Sequence, residues 1–124
     1  MQGDAMSEKV KKVFVDDETL VEIIDTRKLS IDGAEVQIYW MHGLPESVFG
    51  VCGQKSDSEY LILINADKSK ELQDESLEHE LLHVTRNDFN SDKPVAVLER
   101  EVDHDIQVRK KQGLNPLYQE LLNH

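Results

Sequence analysis

The chain has 124 residues, of which 39% are hydrophobic and 31% charged, enough for one buried core and too few for two. Its net charge of −11 argues against nonspecific binding of nucleic acid or anionic membrane, and the longest apolar run, Leu61-Ile62-Leu63-Ile64, is far too short to span a bilayer. The single Cys52 excludes an intramolecular disulfide and suits a reducing compartment; with no secretion signal at the start, a cytoplasmic protein is expected.

Residues 1–12 are expected to form a flexible N-terminal segment, and 13–124 a single domain. Between 7 and 15, Lys alternates with Val and Phe without a clear period. From Asp16-Asp17 onwards, Leu20, Ile23 and Ile24 recur at i, i+3 and i+4, and Arg27-Lys28 follows them. That spacing predicts a helix over 17–28. Asp32-Gly33 then marks a turn. Three strands are predicted next, over 36–41, 48–52 and 60–65, from β-branched and aromatic runs bounded by Gly, Pro and Ser. The last of them, Tyr60 to Asn65, is apolar throughout and reads as a central strand buried on both faces.

A helix is predicted over about 69–87, with Ser69 as its N-cap and Asn87-Asp88 able to end it. Leu77, Leu81 and Val84 share one face, while Ser76, His79 and His83 share a neighbouring one. A second helix runs from near Pro94 to about 112 and stops at Gly113, with Val95, Leu98, Val102 and Ile106 as its apolar stripe. A short helix over 116–123 closes the chain, with Asn115 as its cap. The class is α+β: a three-stranded sheet packed on the first of these helices, with further helices around it. No repeat or low-complexity tract divides it.

His79-Glu80-Leu81-Leu82-His83 reads as H-E-x-x-H on a helix. Residues four apart lie one turn apart on nearly the same face, so the two imidazoles can bind one Zn²⁺. Glu80, beside them, can take a proton from a water attacking a carbonyl. An acidic chain meets this pattern by chance often enough that context must support it: an amphipathic helix, a third ligand and an open fourth position. The spacing that places Gly three residues after the second His and a ligand three further on is absent, since Arg86 and Phe89 stand there. Asp88 is one residue out of that frame. On the following helix the balance favours Glu99 as third ligand, with Asp103 one turn later able to orient a ligand histidine. Glu101, Asp103 and His104 remain rivals for the ligand role.

Other residues read as structural. His42 and His124 have no partner at ligand spacing and suit the surface. Trp40 fills core or cleft wall. Tyr118 lies within reach of a metal as an electrophile, but packing explains it better. Cys52 has no paired His or Asn motif for nucleophilic catalysis.

Leu44-Pro45, Phe49-Gly50, the strand Tyr60 to Asn65, the pentapeptide His79 to His83, and Glu99-Arg100-Glu101-Val102-Asp103 together resemble the ImmA/IrrE metallopeptidase family. The resemblance covers roughly residues 36–106. It implies a zincin-like fold, zinc held by His79, His83 and Glu99, and catalysis by Glu80. It also implies an endopeptidase that cuts a cytosolic regulatory protein, such as a phage or mobile-element repressor; the charge balance, separately, leads us to expect no direct binding of nucleic acid or membrane. Val102 departs from the family's Ala, and His104-Asp105-Ile106-Gln107 replaces its usual F-A-x-x-L-L-M-P continuation. These departures concern the substrate side of the cleft more than the metal. A zincin-like domain that binds protein without cutting it is the alternative expectation.

Overall fold

Residues 11–14 and 17–122 are described by a computed structural model. The first ten residues, Val15-Asp16 and the terminal Asn123 and His124 lie outside them, and with them most of the expected N-terminal segment and the His124 assignment. Lys11 and Lys12, which the sequence reading leaves in that segment, belong to a strand, β1 (Lys11–Phe14).

The helix expected over 17–28 is instead a long strand, β2 (Leu20–Ile31). It pairs antiparallel with β1 on one side and β3 (Ala34–His42) on the other. The cause of the misreading is a bulge. Ile23 pairs with Met41 and Asp25 with Trp40, so Ile24 is an extra residue in β2. Such an insertion swaps the faces of a strand. Val21 and Ile23 therefore point to the Met41 side, while Leu29 and Ile31 point to the Val36 and Ile38 side. The break in period two leaves Leu20, Ile23 and Ile24 at helical spacing by coincidence. Asp32 and Gly33, both at positive φ (49° and 85°), make the tight hairpin turn into β3.

After β3 the chain skips a position in the sheet. Residues 43–49 carry it to the outer edge as β4 (Gly50–Ser56), which returns antiparallel beside β5 (Glu59–Asn65). β5 lies parallel to β3, giving the order β1-β2-β3-β5-β4. The sheet thus has five strands, where three were expected. The buried Asn65 side chain fixes the connection: it donates to the Val48 carbonyl at 2.8 Å and accepts from the Asp67 amide at 2.9 Å. β5 is internal, as expected, but buried fully on one face only. Tyr60, Ile62 and Ile64 are buried, while Leu61 and Leu63 are half-buried on the other face.

The helices are α1 (Lys70–Thr85), α2 (Val95–Lys111) and α3 (Leu117–Leu122). Ser69 caps α1, its hydroxyl accepting from the Leu72 amide at 3.3 Å. Leu77, Leu81 and Val84 of α1 join Ile31, Val36, Ile38, Ile62 and Ile64 in one core, against which Tyr118, Leu121 and Leu122 of α3 and Trp40 pack. Leu98 and Val102 of α2 are buried as the stripe predicts, whereas Val95 stands 72% exposed. Among the described residues no helix is long and apolar enough to cross a membrane.

Candidate metal centre

The core contacts of Leu77, Leu81 and Val84 set the rotation of α1 about its axis. With that stripe on the sheet, His79 and His83 emerge on its flank, facing α2. Their Nε2 atoms stand 3.2 Å apart, and the Glu99 carboxylate of α2 reaches both. Its Oε2 lies 2.7 Å from His79 Nε2 and its Oε1 3.0 Å from His83 Nε2. One ligand atom from each of the three residues lies within 4.8 Å of the others.

The outer nitrogens decide what those inner atoms are. His83 Nδ1 faces Asp88 Oδ2 at 2.8 Å, and both side chains are buried. A carboxylate only accepts, so this nitrogen carries the proton and donates. His79 Nδ1 faces Asp103 Oδ1 at a longer 3.5 Å, and Asp103 is largely exposed. The proton on His83 Nδ1 leaves the His83 Nε2 lone pair facing Glu99 Oε1 and His79 Nε2, while His79 Nε2 stands at hydrogen-bond distance from Glu99 Oε2. Such a set calls for a cation or an added proton. Ligands about 2.0–2.1 Å from a tetrahedral zinc ion stand about 3.3 Å apart, close to the Nε2 separation here. The donor set fits zinc: two imidazoles and one carboxylate.

Glu80 stands beside the centre. It lines one hollow of about 360 Å³ with Cys52, His83, Phe89, Leu98 and Glu99, and a second with Phe49, Gly50, Leu72 and His79. Burial raises its carboxyl pKa; the two histidines oppose that shift and Glu99 adds to it. Cys52, on β4 across the first hollow, is pushed up to about 12 by burial and by the nearby Glu80 charge, so it stays a thiol at neutral pH. A third hollow, of about 580 Å³, opens on the far side of His79 between α1, α2 and α3, with Tyr118 and Asp103 in its wall.

None of the rivals for third ligand joins the converging atoms. Glu101 is bonded to Arg86 and Lys93, and His104 is exposed on the outer side of α2. His42 pairs with Asp67 at 2.7 Å. Asp88 does not join the converging atoms, but the sequence reading missed its part in holding His83. Only the turn after α1 reveals it: Asn87 takes the left-handed conformation (φ 61°), and a 3₁₀ turn over Asp88–Asn90 folds back beneath the helix end.

Comparison of the chain with protein-family models, with curated proteins and with solved structures returns no match in any of the three.

Proposed function

We propose that the chain is a zinc-dependent endopeptidase of the ImmA/IrrE type, acting in the cytoplasm on a regulatory protein such as a phage or mobile-element repressor. The observation that carries this reading is the convergence of His79 Nε2, His83 Nε2 and the Glu99 carboxylate, with Glu80 beside it in an open cleft. Zinc held by those three residues would polarise the scissile carbonyl and lower the pKa of water. Glu80 would accept the proton of the attacking water as its oxygen bonds to the carbonyl carbon. It would then hand that proton to the amide nitrogen as the C–N bond breaks. Asp88 and Asp103 would hold the imidazoles in the tautomer that leaves Nε2 free. The position of β4 also supports a peptide substrate. It is the outermost strand on its side of the sheet and runs past Glu80, so an extended segment could add along its edge.

The test is Glu80→Gln, which keeps size and hydrogen bonding but removes the base. The variant should fold, retain its zinc and lose cleavage of a partner protein that the wild type binds by at least about 10²-fold, the low end for losing a general base. Equal behaviour of the two against such a partner would overturn the endopeptidase reading and leave a domain that binds without cutting.

A further inference from the structure

The ligand set is split between two helices, since α1 supplies both histidines and α2 supplies Glu99. Something must fix their separation at the end where they meet. Arg86, immediately after α1, lies there with its side chain 22% exposed. Its Nε donates to Asp88 Oδ2 at 3.1 Å, the same oxygen that accepts from His83 Nδ1 at 2.8 Å. Its Nη1 donates to Asp105 at 2.6 Å and its Nη2 to Glu101, both on α2 and one turn apart. The polar partners of Glu101 and Asp105 are Arg86 and Lys93 rather than a histidine. One planar guanidinium thus binds, on one side, the acceptor that orients His83 and, on the other, the helix that carries Glu99. Such a three-way arrangement uses the fixed fork of arginine, which a lysine ammonium cannot reproduce.

We infer that Arg86 is a positioning residue for the metal centre, coupling the orientation of His83 to the placement of Glu99 by clamping α2 to the end of α1. The inference rests on the zinc reading above. Without the clamp, Asp88 keeps one of its two donors and is free to shift. α2 then loses two charge-assisted bonds at the turn that follows Glu99. Both changes spread the three ligands, and neither removes one.

The experiment measures zinc affinity by competition with a chromophoric chelator, cobalt absorption as a report of coordination geometry, and thermal unfolding of the metal-free protein. Arg86→Gln should weaken zinc binding by about 10- to 100-fold, the range for losing a group that orients a ligand. It should also alter the cobalt spectrum. Arg86→Lys should recover only a small part of that loss. The Glu101→Gln/Asp105→Asn double variant cuts the clamp from the α2 side, with Lys93→Gln as the control for the Lys93–Glu101 pair it also loses, and should weaken zinc binding by about tenfold where the control does not. It decides the matter by itself if Arg86→Gln does not fold. Zinc affinity within about twofold of wild type in variants whose metal-free protein unfolds at lower temperature would overturn the inference, leaving a clamp that only stabilises the fold. A wild type that binds no zinc after reconstitution would instead overturn the metal reading, and this inference with it.

Discussion

Two carboxylates back the two histidines, and distance and burial rank them. Asp88 is buried and 2.8 Å from His83 Nδ1, whereas Asp103 is 70% exposed and 3.5 Å from His79 Nδ1. A hydrogen bond in a low-dielectric site is worth more, and its loss leaves a donor stranded. Asp88→Ala should therefore cost about 1–3 kcal/mol of stability for the orphaned His83 N–H, and more zinc affinity than Asp103→Ala. Parallel thermal melts and chelator titrations of the two variants check the order. A third acidic residue, Asp67, anchors the loop after β3. Asp67 accepts from the Gly43 amide at 2.9 Å and faces His42 Nδ1, and these bonds, the Gly43 amide foremost, hold its carboxyl below its ordinary pKa. A depressed folded pKa gives stability that is present above the unfolded value and lost as pH falls through the folded one. Asp67→Ala should thus destabilise at pH 7 by less than about 1 kcal/mol, the pair being exposed, and the difference from wild type should vanish in acid. Melts from pH 7 down to pH 3 measure it.

Among the elements, those with one uninterrupted period are legible in the sequence. α1 and α2 follow from their stripes and stops, with Ser69, Asn87 and Gly113 at their ends, and β5 follows from its short apolar run. β2 is not legible, because the extra Ile24 reverses its faces midway and imitates a helical repeat. β1 is too short to show a period. That His79 and His83 lie together is legible because helical spacing relates them within α1; that Glu99 of α2 reaches both is seen only once the two helices pack. Asp88 and Arg86 are not legible, because their roles depend on a left-handed turn at Asn87 that no spacing encodes. β4 comes close to α1 at Gly50, where a Cβ would stand 3.2 Å from Ser76 Cβ and 3.3 Å from Ile64 Cδ1. Gly50→Val should push the edge strand off the helix and cost about 1–3 kcal/mol, as overpacking does. Denaturant unfolding reads that cost, and restoring it with Ser76→Gly would tie it to this contact.

For the whole molecule, the sheet and the core around Leu77, Leu81 and Val84 set the helix phase, and the helix phase places His79 and His83 beside Glu99. On the zinc reading proposed above, stability and metal binding are linked, because the three candidate ligands lie on two helices and come together only when the chain is folded. Free zinc at about 100 times its dissociation constant should add about 2.7 kcal/mol. In a domain of this size that is a rise on the order of 10 °C in Tm. Leu81→Ala, in the centre of the core, should cost about 2–5 kcal/mol and lower the Tm of both the metal-free and the zinc-loaded protein. The central claim is that His79, His83 and Glu99 form one zinc site, and metal content after reconstitution and gel filtration tests it most directly. We expect about one zinc per chain in the wild type and in His104→Ala, and loss of most of it in His83→Ala and Glu99→Ala. Full zinc in His83→Ala, or none in the wild type, would contradict the account.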